Sequence, residues 1–246
     1  MASPVYAFKA DPHSSHGLIL EWLGEGQGRP VLDVGAADGL LARRLTARGW
    51  RVTGIESDPA LAEAGAPHCQ TMVRADLNAG LPDLHGPFAA IVYGDVLEHL
   101  VDPLGVLMGL NRFLSPEGAV VLSIPNVAHL WVRLSLLAGR FDYGDRGILD
   151  RTHLRFFTER SLRALVREAG LRVERWTTTP VPLPQVVPMG WRGPWLDRVH
   201  TVSAKVARRL PRLLGYQFVI LGRRESPLGR PVPSVASGTT STGPSE

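Results

Sequence analysis

The chain has a single cysteine, Cys69, among 246 residues. One thiol excludes an internal disulfide and a thiolate metal cluster, and it reads as a small core residue. No apolar run approaches the roughly 20 residues that a transmembrane helix needs. Met1 to Ala10 lacks the basic-then-apolar pattern of a signal peptide. The expectation is therefore a soluble, cytoplasmic protein. Lysine is nearly missing, with Lys9 and Lys205 alone against a wealth of arginine. The net charge of +4 is too small for a nucleic-acid footprint, so a nucleic-acid partner is not expected. There is no internal repeat. What is present is 44% hydrophobic residues, enough for one domain with a core.

Strand-like runs alternate with helix-like segments. Val31–Gly35, Arg51–Glu56, Cys69–Arg74, Phe88–Tyr93, Gly118–Ile124, Leu171–Thr177 and Gln217–Gly222 read as seven strands. Between them lie helical stretches at 40–48, from Asp58-Pro59 onward, from Asp102-Pro103 to about Phe113, and at 161–169 with Thr158 as N-cap. Such alternation implies βαβ units and a doubly wound, Rossmann-like α/β fold with helices on both faces. Residues 1–30 should form a helical cover over a domain at 31–224. Residues 126–157 are an insertion, 190–215 a basic helical segment, and 225–246 a disordered tail rich in Ser, Gly, Pro and Thr.

The first strand runs into Asp33, Gly35, Ala36, Ala37 and Gly39 before the next helix begins. Small residues let a ligand approach the backbone, and the helix start offers free N–H groups to an anionic group. Glu56, with Ser57 after it, ends the second strand, where a carboxylate can accept from a ribose diol. Asp76 follows the third strand and can accept from an adenine amino group, with Leu77 packing on the ring. These features specify an adenosine-containing ligand and leave a dinucleotide and S-adenosylmethionine both open.

The succession of 31–39, 52–58, 74–78 and the run Tyr93-Gly94-Asp95-Val96-Leu97-Glu98-His99-Leu100 resembles the class I S-adenosylmethionine-dependent methyltransferases of the seven-stranded type. The resemblance covers roughly residues 17–222. It implies strand order 3-2-1-4-5-7-6 with the seventh strand antiparallel. It assigns Gly35, Glu56 and Asp76 to S-adenosylmethionine, and we add Gly94 and Asp95 as further cofactor contacts. Ala37 stands where that family commonly has a glycine.

A second constellation follows the fourth strand. Asp95 and Glu98 lie one helical turn apart with His99 beside them, and His153 comes later in Asp150-Arg151-Thr152-His153. Two carboxylates and two imidazoles can hold a divalent cation such as Mg, and they can equally cap a helix and orient a loop. The pattern acidic-x-x-Glu-His, then Pro125-Asn126, then a histidine before a Phe-rich helix entry, resembles ubiquinone-pathway O-methyltransferases and small-RNA 3′-terminal 2′-O-methyltransferases. That resemblance implies a metal held by Asp95, Glu98, His99 and His153 against acceptor oxygens, although a Glu is usual where Asp95 stands. Without metal, His153 is the leading general base and His99 and His129 are lesser candidates, with Glu98 also counted among the catalytic residues.

The insertion mixes Trp131, Phe141 and Tyr143 with Arg133, Arg140, Asp142, Asp145 and Arg146, which suits a polyhydroxylated acceptor or a lid. The stretch from Gly139 to Phe157 resembles a bacterial subgroup associated with glycan and natural-product pathways. In the basic segment, Leu196, Val199, Val202 and Val206 are expected to share one packing face. The stretch 195–212 is also a candidate for peripheral membrane contact. The function expected is O-methylation of a sugar or other small-molecule acceptor. An RNA ribose 2′-O-methyltransferase or a non-catalytic cofactor-binding protein are the alternatives.

Overall fold

Alternation in the central strands decides which way the sheet is buried. In β1 (Pro30–Val34), Leu32 and Val34 join one apolar layer while Val31 joins the other. In β4 (Phe88–Gly94), Ile91 and Tyr93 face the first layer and Ala90 and Val92 the second. Successive side chains of a strand point to opposite faces, so a strand apolar at both phases must be covered on both sides. The computed structural model, which describes residues 11–191 and 193–225, meets that demand with a single seven-stranded sheet.

Its order is β3-β2-β1-β4-β5-β7-β6, as expected. The remaining strands are β2 (Arg51–Glu56), β3 (Thr71–Arg74), β5 (Leu114–Pro125), β6 (Leu171–Thr179) and β7 (Gln217–Arg224). β1 to β5 pair in parallel, and β7 runs antiparallel to both β5 and β6. The chain leaves β1 toward β2 and β3, then returns to place β4 on the other side of β1. That reversal opens a crevice at the carboxyl ends of β1 and β4, where ligands of open α/β sheets bind.

One face carries α1 (Ser15–Leu23) and α2 (Leu40–Ala47); the other carries α4 (Pro103–Asn111) and α6 (Glu159–Glu168). The Ser14 hydroxyl accepts from the Gly17 amide and starts α1, the expected cover helix, which buries Leu18, Ile19 and Leu20. Asp58 caps α3 (Pro59–Gly65), and Thr158 with Ser161 forms a reciprocal cap on α6. Among the described residues no helix is long and apolar enough to cross a membrane. Cys69 is half-buried and packs against the layer that holds α2, and burial, then the charge of Asp33, pushes its thiol up to about 12, so it is unreactive rather than a true core residue.

Three expectations change. β5 begins at Leu114, because Phe88 pairs there before a bulge and Gly118 does not start the strand. The insertion holds a helix, α5 (Leu130–Leu137), whose N-cap is His129; its Nδ1 accepts from the Trp131 amide, a structural role. The connection from β6 to β7 holds α7 (Leu183–Val186), α8 (Pro194–Arg209) and α9 (Pro211–Leu214). α8 does not pack on the face that its branched residues suggested. Leu196, His200, Ala204 and Ala207 are buried, while Val199, Val202 and Val206 are exposed. Ala204 and Ala207 allow close approach to β6, and the Thr178 hydroxyl donates to the Ala207 carbonyl. His200 is paired with Asp11. Arg192, Met1 to Ala10 and 226–246, which include nearly all of the tail expected to be disordered, lie outside the described residues.

Candidate active site

The crevice is lined from the three βα turns and from the segment after β4. Its volume is about 390 Å³, within the range of small-molecule sites. After β1 the chain turns through left-handed backbone at Gly35 (φ 70°), Ala37 (φ 48°) and Gly39 (φ 77°). Ala37 carries that conformation at a cost of about 1–2 kcal/mol, which explains why glycine suits the position. A Cβ on Gly35 would lie 2.5 Å from Val96 Cγ2, so the glycine lets the β1 and β4 exits close on each other. Gly35, Ala36 and Ala37 line the crevice, as do Ser57, Leu77 and Gly94. Gly39 does not: it packs on Gly65 of α3 and serves the turn.

Glu56 has backbone partners that the sequence did not indicate. Its Oε2 accepts from the Ala37 amide at 2.9 Å, and its Oε1 accepts from the Ser57 and Asp58 amides at 2.8 and 2.9 Å. One carboxylate thus ties the β1 and β2 turns together at the cleft wall, and Oε2 retains capacity for a ligand hydroxyl. Asp33 lies beneath it, fully enclosed. Burial, then the neighbouring Glu56 charge, raises its carboxyl to about 7. Its Oδ2 is buried without a hydrogen-bond partner and borders the cleft, so a cationic or N–H donor from a ligand fits there. Asp76 lines the opposite end and forms a turn by accepting from the Asn78 amide.

Beyond β4 the expected quartet divides. Glu98, His99 and His153 come together with ligand atoms within 4.8 Å of one another. Asp95 lies outside this cluster. It adopts φ 58°, and its Oδ1 accepts from the Ser123 hydroxyl at 2.5 Å and from Gln217 Nε2 at 2.8 Å, while Ser15 Oγ lies 3.5 Å from Oδ2. Its short side chain is drawn to the floor of the cleft. It still lines the cleft.

The two imidazoles are oriented by backbone. His99 Nδ1 lies 3.2 Å from the Thr152 carbonyl, and His153 Nδ1 lies 3.1 Å from the Ile148 carbonyl. A carbonyl only accepts, so each Nδ1 carries the proton and each Nε2 presents its lone pair. The Glu98 carbonyl accepts from the Leu154 and Arg155 amides, which fixes the end of the insertion against the turn after β4. Burial, then the proximity of His99, lowers the His153 pKa below its ordinary value. His99 and Thr152 form part of the cleft wall. Sequence reasoning missed His16, which enters from α1, and it missed Ser123 and Gln217, which hold Asp95. Nothing local marks them, since each is brought in by another element.

A seven-stranded sheet of this order, a cleft at its reversal point, and carboxylates at the carboxyl ends of its first three strands define a class I S-adenosylmethionine-dependent methyltransferase. The buried Asp33 oxygen and the Glu56 and Asp76 carboxylates suit that cofactor. The family described as methyltransferase domain matches residues 15–175, and the chain belongs to it. It is similar to the ubiquinone biosynthesis O-methyltransferase of Pseudomonas aeruginosa, 29% identical over 173 residues, 66% of this chain and 74% of that protein. A Burkholderia thailandensis 1,6-didemethyltoxoflavin-N1-methyltransferase solved with S-adenosylhomocysteine shares the fold, with TM-score 0.55 and 17% identity over 86% of this chain and 77% of that one. So does the [4+2]-cyclase SpnF, with TM-score 0.58 and 18% identity over 90% of this chain and 84% of that one. The fold therefore tolerates different chemistries, and the choice of acceptor lies in the site.

Proposed function

We propose that this methyltransferase acts on a hydroxyl oxygen of a small polyhydroxylated or phenolic acceptor, with Glu98, His99 and His153 as its reactive cluster. One observation carries the reading. The imidazoles of His99 and His153 and the buried Glu98 carboxylate come together beside the cofactor cleft, each imidazole with its Nδ1 at a backbone carbonyl. S-adenosylmethionine supplies a methyl already activated on sulfur, so the protein's work is to align the acceptor oxygen and take its proton. A histidine with a lowered pKa is neutral at physiological pH and suited to that task.

The same three residues fit a divalent cation. Two ligands of one ion lie at most about 4.2 Å apart for Zn or Mg and about 5 Å for Ca, twice the usual ligand distance. The three ligand atoms lie within 4.8 Å of one another, near that spacing. Such an ion would lower the pKa of a coordinated hydroxyl. The expected fourth ligand, Asp95, is not needed for this trio. An aromatic cluster next to His153 supports a ring-shaped acceptor: Phe156 lies 6.2 Å from His153 and 5.7 Å from Phe141, and Phe141 lies 5.5 Å from Tyr143. The O-methyltransferase named above supports oxygen as the atom methylated.

The test is methyl transfer from labelled S-adenosylmethionine to catechol and to a methyl glycoside, with and without EDTA, alongside calorimetric titration of Mn²⁺. Metal-assisted transfer requires loss of activity in EDTA, Mn²⁺ binding by the native protein, and equal loss of both in Glu98→Ala and His153→Ala. Full activity in EDTA with no Mn²⁺ binding leaves His153 as base alone. Methyl transfer to nitrogen acceptors only, with none to oxygen, overturns the proposal.

A further inference from the structure

α8 has two apolar faces, and the fold uses one. Leu196, His200, Ala204 and Ala207 form the inner face. A second set, Trp195, Val199, Val202, Val206 and Leu210, recurs every three or four residues, as one helical stripe requires. Each of these five is between 39% and 58% exposed. Single exposed apolar residues are ordinary, but a continuous stripe of five along four turns marks a contact surface. Trp191, in the turn before α8, is 76% exposed at the same end.

Charge selects the occupant. By helical geometry, Arg198, Lys205 and Arg209 form an exposed basic row beside the stripe, and Arg208 lies beyond it. Asp197 is the only acidic residue on α8, and it falls on neither row. We propose that the outer face of α8 docks on an anionic lipid surface, with the stripe entering the headgroup boundary and the basic row meeting lipid phosphates. An apolar face flanked by Arg and Lys, with tryptophan at one end, has the chemistry of an interfacial helix. A second copy of this chain suits the face less well, because the row offers no carboxylate to a partner's row.

The inner face gives docking a route to the site. His200 pairs with Asp11, and the Asp11 carbonyl accepts from Ser14, the cap of α1. α1 in turn supplies His16 to the cleft and Ser15 to Asp95. α8 is therefore linked to the cleft through Asp11 and α1. This inference is independent of which acceptor is methylated.

The experiment is co-sedimentation of the full chain with vesicles of phosphatidylcholine alone and of phosphatidylcholine mixed with phosphatidylglycerol. Binding to the anionic vesicles, weak binding to the neutral ones, and a fall with added salt are expected. Removing the row by Arg198→Gln, Lys205→Gln and Arg209→Gln should weaken binding roughly a hundredfold, at about fivefold per charge. Val202→Asp with Val206→Asp should abolish it. All of these side chains are exposed, and unchanged S-adenosylhomocysteine affinity would show that the variants are folded. Three results would overturn the proposal: no sedimentation with anionic vesicles, undiminished binding by the Val202→Asp/Val206→Asp variant, or self-association lost in that variant without any vesicle binding.

Discussion

Replacing Glu56 by glutamine changes little in shape, but it removes a charge and one acceptor. Three backbone amides point at the carboxylate, two at Oε1 and one at Oε2. Glutamine has one carbonyl oxygen. If that oxygen faces Ser57 and Asp58, the side-chain NH₂ confronts the Ala37 N–H, a donor against a donor. The reverse orientation loses two bonds instead of one. At least one hydrogen bond to a charged acceptor is lost, a cost of about 1.5–3 kcal/mol. The surviving pair weakens from charged to neutral. A loss of about 2 kcal/mol at the loop that cradles the cofactor corresponds to roughly 30-fold in affinity. Calorimetric titration with S-adenosylhomocysteine should therefore show about 10–100-fold weaker binding, and the melting temperature should fall by about 4–8 °C, at roughly 2–4 °C per kcal/mol. If Glu56→Gln binds within twofold of native and melts with it, Glu56 ties neither loop nor ligand. A lower melting temperature with native affinity would keep the loop tie and remove the ligand role.

Three further outcomes follow from the same geometry. Asp33 has a folded-state pKa of about 7 against an ordinary 3.8, so its contribution to stability is present at low pH and is lost as pH rises through that window. Asp33→Asn should shrink the difference in unfolding free energy between about pH 5 and about pH 8, and an unchanged difference in denaturant titrations would refute the burial account. Gly39→Ala places a Cβ 2.9 Å from the Gly65 Cα and carbonyl oxygen at φ 77°, so it should destabilise by on the order of 2–4 kcal/mol; a melting temperature within error of native would contradict that. With His153 as the base, kcat should rise with pH through a midpoint below 6.5, the ordinary histidine value, because burial favours its neutral form. His153→Gln should lose that acidic limb, and a profile unchanged in the variant would assign the titration to another group.

Much of the site was legible in the sequence because a parallel sheet carries its local signals to one place. Asp33, Glu56 and Asp76 are far apart along the chain, yet each belongs to a strand end or the turn just after it. Parallel pairing of β1 with β2 and of β2 with β3 brings those ends together. Glu98 and His99 sit in the corresponding turn after β4, and His153 joins them because backbone amides at 154 and 155 bind the Glu98 carbonyl. Asp95 was not legible in the same way. Its direction is set by Ser123, 28 residues on, and by Gln217, 122 residues on, and no local spacing contains that information.

The sequence by itself determined the seven strands, their alternating apolar phases, the glycine-rich turn and the residue types at each strand end. These follow from local periodicity and backbone preference, which act within a few residues. Only the tertiary structure decided that Glu56 ties two turns, that Asp95 leaves the histidine cluster, and that α8 buries alanines while its valines face outward. Each of those outcomes depends on a partner distant in the chain. For α8 the periodicity allowed two faces, and the close approach of Ala204 and Ala207, with the pairing of His200 to Asp11 across 189 residues, chose between them.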